Sequence, residues 1–120
     1  PLHTIIPCMV TKDRRAAMSF GVMGGQYQPV GQSHVLSNML DFGMDVQEAI
    51  DLPRALHYDG IYQLEEGIPE SAAEGLRKIG HQVTRVKVPW GGGQAIWIDW
   101  ERGALIGGSD PRKDGCALGY

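Results

Sequence analysis

The stretch Phe20-Gly21-Val22-Met23-Gly24-Gly25-Gln26-Tyr27-Gln28-Pro29 is the one around which the rest of the chain is organised. In it an apolar run stops at the paired glycines Gly24 and Gly25, and a helical pattern follows within a few residues. The stretch therefore predicts a turn from a strand into a helix. Without Cβ atoms, two successive N–H groups can approach a ligand closely and hold an oxyanion or a phosphate. The alternative interpretation is a tight turn that only needs positive φ angles.

The segment before this turn predicts a strand hairpin. Residues 5–11 form an apolar strand interrupted by Pro7, and Lys12-Asp13-Arg14-Arg15 is a polar turn. A second strand then covers residues 16–23 and ends at the paired glycines. The hairpin thus delivers the chain directly to the glycine turn.

Two helices are predicted behind the turn. From Gly31 onward apolar residues recur at helical spacing, and Gly43 is a typical helix stop. The N-terminus of this helix would add positive potential at the glycine turn. Asp45-Val46-Gln47-Glu48 has the form of a capping box, which predicts a short second helix as far as about Asp51, with Pro53 behind it.

The second half of the chain predicts short strands and one more helix. Strands are predicted at residues 61–65, 82–88, 95–100 and 104–107. Pro69 opens the third helix and Gly80 closes it. Its predicted inner face consists of Ala72, Ala73, Leu76 and Ile79. Gly91-Gly92-Gly93-Gln94 lacks the Lys and Ser/Thr of a phosphate-binding loop and is interpreted as a connection between strands.

This order of elements predicts a layered α/β (α+β) structure rather than a parallel βαβ series. No linker divides the sequence, so residues 1–120 are expected to form a single domain. The net charge of −3 argues against nucleic acid as a partner. No apolar run approaches the roughly 20 residues of a membrane helix, so no membrane contact is expected. Neither a metal site nor a cofactor is predicted.

The two cysteines, Cys8 and Cys116, lie far apart and without metal-type spacing. A disulfide, two buried thiols and chance placement all stay open, and two free, buried thiols are the expectation. Ser109-Asp110-Pro111-Arg112-Lys113 suggests either a catalytic Asp or phosphate site, or a turn in which Arg112 forms an internal ion pair. The turn is favoured. Asp51-Leu52-Pro53-Arg54 is likewise interpreted as a helix end with a structural ion pair.

Four ordered segments give the chain a resemblance to a known family. They are Pro1-Leu2-His3-Thr4-Ile5-Ile6-Pro7, Phe20 to Gln26, Ala49-Ile50-Asp51-Leu52-Pro53-Arg54, and Gly108-Ser109-Asp110-Pro111-Arg112-Lys113-Asp114-Gly115. In order and spacing they resemble the C-terminal part of the small subunit of the γ-glutamyltranspeptidase family. The resemblance implies about half of the four-layer αββα sandwich of N-terminal-nucleophile hydrolases. Because the chain begins at Pro1 rather than Met, upstream sequence is expected to be lost or to lie on another chain.

The resemblance also implies a reaction and its site residues. In the family an N-terminal threonine attacks a γ-glutamyl amide, with its own α-amine or a nearby water as base, and the acyl group then passes to water, an amino acid or a peptide. Gly24 and Gly25 coincide with the two glycines whose N–H groups form the oxyanion hole. His3 and Thr4 fall where many members carry two serines that bind the substrate α-carboxylate. Thr4 keeps the hydroxyl, whereas His3 is larger and titrates near neutrality.

Three functions follow as hypotheses. The first is a fragment of a γ-glutamyltransferase or glutathione hydrolase, inactive alone because no threonine stands at its start and Thr4 and Thr11 are internal. The second, favoured by His3, is a cephalosporin-type amide acylase of the same fold. The third, favoured by the missing nucleophile, is a non-catalytic scaffold module.

The expected partners are the remainder of the precursor, meaning the large subunit and the N-terminal part of the small subunit, together with a γ-glutamyl small molecule and copies of the fragment itself. The family is often periplasmic or secreted, but the compartment stays unknown because its signal would lie outside this chain.

Overall fold

The computed structural model describes residues 4–119, which fall into two compact units. The larger unit runs to Asp51 and resumes at Gly91, and the smaller unit is Leu52–Trp90. In chain order the elements are β1 (Cys8–Lys12), β2 (Arg15–Met23), α1 (Gln28–Leu40), α2 (Val46–Asp51), β3 (Ala55–Tyr58), β4 (Ile61–Leu64), α3 (Glu70–Lys78), β5 (Gln82–Arg85), β6 (Gly92–Asp99) and β7 (Ala104–Ser109). The described residues also form two 3-10 turns, Gly25–Tyr27 and Pro111–Lys113. The predicted α/β class is confirmed.

A four-stranded antiparallel sheet forms the larger unit, in the order β1-β2-β6-β7. The predicted hairpin is confirmed as β1 and β2, but residues 5–7 lie outside β1, contrary to the predicted strand over residues 5–11. Its two turn residues, Asp13 and Arg14, have φ angles of 51° and 62°. Positive φ at both central positions matches the right-handed twist of the flanking strands, which is why such turns close two-residue hairpins.

The core of the larger unit lies between this sheet and the helices α1 and α2. Along β2, Met18, Phe20 and Val22 point to one face and are buried, as the two-residue period of a strand requires. Gly108 lies in β7, and a Cβ added to it would stand 2.6 Å from the Val46 side chain of α2. The missing side chain therefore lets α2 lie directly on β7.

The capping box before α2 is confirmed. The backbone N–H of Asp45 donates to the Glu48 carboxylate over 3.0 Å, and the Glu48 N–H donates to the Asp45 carboxylate over 2.8 Å. These reciprocal bonds satisfy two of the N–H groups that a helix start leaves without partners. Local chemistry alone therefore defines where α2 begins.

The smaller unit contains a three-stranded sheet in the order β3-β4-β5. Strands β3 and β4 are antiparallel, whereas β4 and β5 are parallel and are connected through α3. This is one βαβ crossover, and the other strand pairings of the described residues are antiparallel, so the chain does not form a parallel βαβ series. Arg85 of β5 donates to the carbonyls of Glu65 and Ile68 and to the Glu70 carboxylate. Hydrogen bonds from Arg77, and then from Arg85, hold the pKa of Glu70 below its ordinary value.

Arg54, near the start of the smaller unit, is fully buried. Its backbone N–H donates to the Glu65 carboxylate over 3.0 Å, and its guanidinium donates to the Trp90 carbonyl over 2.7 Å. The second carboxylate oxygen of Glu65 accepts a hydrogen bond of 2.9 Å from the backbone N–H of Trp90. These hydrogen bonds connect Arg54, near the start of the smaller unit, with Trp90 at its end. This agrees with a structural role for Arg54.

Several local predictions were wrong. On α3 only Ala73 is buried, whereas Ala72 is exposed and Ile79 is 73% exposed, because the helix ends before Ile79 and packs narrowly on β5. Strand β3 was not predicted. Gly92 and Gly93 lie within β6, paired with Met23 and Val22, rather than in a connection. Both cysteines are free as expected, but Cys8 is only half-buried and Cys116 is exposed.

Candidate active site

The paired glycines lie between the end of β2 and the start of α1, so the predicted strand–turn–helix is confirmed. The β2–β6 ladder ends at the pair Met23 and Gly92, before either glycine. Gly24 has φ 133° and ψ 33°, and Gly25, with φ 57°, begins the 3-10 turn that continues into α1. Within residues 4–119, neither glycine donates its N–H in a hydrogen bond. Two successive donors thus stand at the N-terminal end of α1, where the helix dipole is positive.

Three close backbone approaches hold this turn in place around Tyr27. A Cβ on Gly24 would lie 2.9 Å from the Gly91 Cα, and one on Gly91 would lie 2.8 Å from the Tyr27 ring. A Cβ on Gly31 would lie 2.5 Å from the same ring. The Tyr27 side chain is fully buried among them. Because real Cβ contacts are not this short, side chains at these three positions would displace the turn.

Gly25 has different surroundings. A Cβ built on it meets no atom within 4 Å, and the residue is exposed. Its φ angle of 57° is in the left-handed region that favours glycine. The space beside Gly25 is therefore open to a ligand, while the backbone behind Gly24 is closed.

The structure brings Thr4 close to this turn. Thr4 is exposed, and its carbonyl accepts a hydrogen bond of 2.7 Å from Nε2 of Gln28. The same nitrogen lies 3.3 Å from the Gly25 carbonyl oxygen. The other predicted carboxylate-binding residue, His3, lies outside the described residues. Two of the segments predicted to form one site, those of Thr4 and Gly25, are thus joined by one side chain.

Gln28 and Gln32 are the residues of this region that the sequence interpretation did not single out. Both lie on α1 and are 8% and 9% exposed. Gln32 donates to the Ile6 carbonyl over 2.6 Å. The available signal was their spacing of four, which places two amides on one side of a helix where apolar residues would be expected.

Asp110 and Arg112 form the internal ion pair that was predicted. Asp110 is fully buried, and its carboxylate accepts from the Arg112 side chain over 3.2 Å and from the Gly93 N–H over 2.6 Å. Arg112 also donates to the carbonyls of Ile50 and Asp51 at the end of α2. The carboxylate of Asp110 is thus occupied by donors of its own unit, which supports the turn interpretation over a catalytic one.

No group of three or more His, Cys, Asp or Glu side chains is placed to hold a metal ion in residues 4–119. Over the same residues, every helix is too short or too polar to cross a bilayer.

Comparison with known proteins gives consistent similarity over the whole chain. The sequence model described as gamma-glutamyltranspeptidase matches residues 1–120. The chain is 36% identical to a glutathione hydrolase-like YwrD proenzyme of Bacillus subtilis, with 98% of the chain and 24% of the relative covered. It is 35% identical to an acylase ACY 1 proenzyme of Pseudomonas sp., covering 93% of the chain and 20% of the relative.

Solved structures show the same fold. The crystal structure of a cephalosporin acylase from Bacillus halodurans superposes with a TM-score of 0.87 and 41% identity, over 92% of this chain and 21% of that one. The fold is thereby that of the N-terminal-nucleophile hydrolases, as expected. The chain spans between a fifth and a quarter of the length of the two relatives named above.

Proposed function

Because this chain belongs to the γ-glutamyltranspeptidase family, we propose that it is the C-terminal part of the small subunit of an enzyme that cleaves amides by acyl transfer. In that enzyme it supplies an oxyanion hole and part of the substrate pocket. The remainder of the precursor, including the nucleophilic threonine, is its obligatory partner.

The oxyanion hole is assigned to the N–H groups of Gly24 and Gly25. The observation that carries the assignment is that both donors stand past the end of the β2–β6 ladder, beside open space at Gly25. An oxyanion hole requires donors that are not used elsewhere and that need no rearrangement during the reaction. One such donor contributes about 3–4 kcal/mol in comparable acyl-transfer sites.

The proposed reaction combines these two donors with a threonine from the remainder of the precursor. The threonine hydroxyl oxygen bonds to the acyl carbon while its proton passes to the α-amine, and the carbonyl oxygen becomes an oxyanion facing Gly24 and Gly25. The C–N bond then breaks, and the leaving amine takes the proton. An oxygen or nitrogen atom of water, an amino acid or a peptide then bonds to the acyl carbon of the resulting ester. The bond between that carbon and the threonine oxygen breaks, and the proton of the attacking group returns to the threonine oxygen.

Thr4, together with His3, is assigned to the α-carboxylate of a γ-glutamyl donor such as a glutathione-like amide. The exposure of Thr4 and the short link of its carbonyl to Gln28 place the segment next to the glycine turn. A hydroxyl that donates to a carboxylate makes a charge-assisted hydrogen bond, which is stronger than one between neutral groups.

An amide acylase of the same fold is the second candidate. It is favoured by the 41% identity to a cephalosporin acylase and by His3, which replaces a small group with a bulky imidazole. The two candidates differ in their need for an α-amino acid group on the acyl donor. The ratio of hydrolysis rates for γ-glutamyl and glutaryl anilides, which differ only in the α-amine, distinguishes them. The third hypothesis, a non-catalytic scaffold, predicts turnover of neither anilide.

The assignment of Gly25 is tested in the complete precursor with Gly25→Ala, and Gly103→Ala is its matched control. Gly103 has a similar φ of 65° and equally open space, but it lies in the turn between β6 and β7. Both variants should lose about 1 kcal/mol of stability from backbone strain. Only Gly25→Ala should lower kcat/KM, by about tenfold or more, because its methyl group stands beside the proposed oxyanion. Equal activities of the two variants would contradict the assignment.

A further inference from the structure

The amide side chain of Gln28 connects three backbone groups near the glycine turn. It is the first residue of α1 and is only 8% exposed. Its Oε1 accepts the Ile6 N–H over 3.2 Å, and its Nε2 donates to the carbonyls of Thr4 over 2.7 Å and Gly25 over 3.3 Å. Both hydrogens of the amide and its oxygen are thus used.

This connection sets a short distance between two segments far apart in sequence. Because one nitrogen contacts both carbonyl oxygens, the oxygens of Thr4 and Gly25 lie at most about 6 Å apart. A side chain with one acceptor and two donors is required to make all three bonds. Glu in the ionised form lacks the donors, and Lys lacks the acceptor.

The segment held by Gln28 has little other backbone support. Residues 4–7 belong to no strand or helix. Gln32, one turn further along α1, donates to the Ile6 carbonyl, so both backbone groups of Ile6 are bonded to glutamine side chains of that helix. The two glutamine side chains therefore supply the backbone hydrogen bonds that a neighbouring strand would supply in a sheet.

We propose that Gln28 is a positioning residue that sets the separation between the carboxylate-binding segment at Thr4 and the oxyanion-binding amides of Gly24 and Gly25. This inference rests on the proposed function of those two segments. A fixed separation selects acyl donors by the number of bonds between their carboxylate and their scissile carbonyl. Gln28 thereby makes the site favour γ-glutamyl donors over β-aspartyl donors, which are one methylene shorter.

The experiment compares Gln28→Met with Asn38→Leu in the complete, processed enzyme. Methionine preserves the volume of Gln28 and removes its three hydrogen bonds. Asn38 is a matched control because it is also a buried amide on α1, and its side-chain hydrogen bond of 3.3 Å goes to the Ala49 carbonyl of α2 rather than to residues 4–7 or the glycine turn. For each variant, KM and kcat are measured with γ-glutamyl and β-aspartyl anilides, alongside Tm.

The expected result is a change in selectivity that stability alone does not produce. Gln28→Met should raise KM and lower kcat for the γ-glutamyl anilide by roughly three- to tenfold each, and reduce the γ-glutamyl preference about tenfold. Asn38→Leu should lower Tm about as much as Gln28→Met does, but it should leave the γ-glutamyl preference within about twofold of that of the unsubstituted enzyme. Gln28→Glu, which keeps the shape and the acceptor but loses both donors, should change the preference in the same direction as Gln28→Met.

Equal preferences in the enzyme with and without these Gln28 substitutions would overturn the inference. If Gln28→Met fails to fold, Gln28→Glu decides in its place. Gly25→Ala and Thr4→Ala in the same assay separate the two levels of the proposal. When both of these act but the Gln28 variants leave the preference unchanged, only the positioning role fails; when neither acts, the proposed function fails.

Discussion

Gly24 and Gly25 are neighbours, but glycine is needed at each of them for a different reason. At Gly24 a side chain would collide with the Gly91 backbone, so the requirement is close packing. At Gly25 nothing stands near, and the requirement is the φ angle of 57° together with the open space. Gly24 allows the turn to pack against Gly91, and Gly25 keeps the space beside the turn open. A substitution at Gly24 is therefore expected to act first on folding, and one at Gly25 first on activity.

Thr4→Ala tests the carboxylate contact at the scale of one hydroxyl. In the complete enzyme the substitution should weaken binding of a γ-glutamyl anilide by about 1–3 kcal/mol, the usual loss for a hydrogen bond to a charged group. This corresponds to a KM roughly five- to 150-fold higher. Thr4→Ser, which keeps the hydroxyl, is the control and should stay near the parent value.

Unchanged KM and kcat in Thr4→Ala would remove the residue from the substrate site. Retained activity on bulky acyl amides, with no loss on glutamyl substrates, would favour the acylase candidate instead.

Among the elements, the end of β7 and the end of α2 are joined through one ion pair. Arg112 donates to Asp110 and to the last carbonyls of α2, and Asp110 in turn accepts the N–H of Gly93 in β6. The Arg112 side chain is 11% exposed and the Asp110 side chain fully buried. Such a pair contributes little more than apolar packing when complete, but losing one partner leaves a buried charge uncompensated.

Arg112→Leu should therefore lower the free energy of unfolding by about 3–5 kcal/mol. Arg102→Leu is the matched control, because Arg102 also pairs with an aspartate, Asp99 at 3.4 Å, but is 82% exposed. Its loss should stay within about 1 kcal/mol, as for other surface ion pairs. Urea titration of both variants measures the difference, and similar losses would show that burial of the Asp110 pair does not matter.

In the larger unit, the helices among residues 4–119 cover one face of the sheet. The register places the following exposed apolar side chains on the opposite face: Met9, Met23, Ile96 and Leu105. They are between 48% and 70% exposed. Apolar side chains gathered on one sheet face favour contact with another surface. This supports the proposal that the chain works together with the rest of its precursor.

A polypeptide of residues 1–120 is accordingly expected to self-associate and to have no amidase activity. Association would bury the exposed sheet face, and activity is expected to be missing because the proposed function places the nucleophilic threonine in the remainder of the precursor. Light scattering measures the mass, and release of aniline from a γ-glutamyl anilide measures the activity. Leu105→Lys, on the sheet face, should reduce association more than Ile79→Lys, a similarly exposed residue just past α3. A stable monomer, or turnover at the rate of a mature enzyme, would contradict the respective expectation.

The sequence predicted those features whose cause is local. The capping box of Asp45 and Glu48 depends on residues three apart, and the glycine turn was visible as an apolar run ending at two residues without side chains. The inner face of α3 was predicted less well. Helical spacing identifies a face but does not say how much of it a neighbouring sheet covers, and Ile79 proved exposed.

By itself, then, the sequence determined the α/β class, the hairpin, the order of most elements and the glycine turn, because each is set by backbone preferences within a few residues. Only the tertiary structure decided that Gln28 joins Thr4 to Gly25, that Arg112 reaches the end of α2, and that β6 begins at Gly92. The bonds from Gln28 to Thr4 and from Arg112 to Ile50 link residues 24 and 62 positions apart. The local sequence does not identify the distant partner of a polar side chain. That partner is the donor or acceptor group that the fold brings within about 3 Å of the side chain.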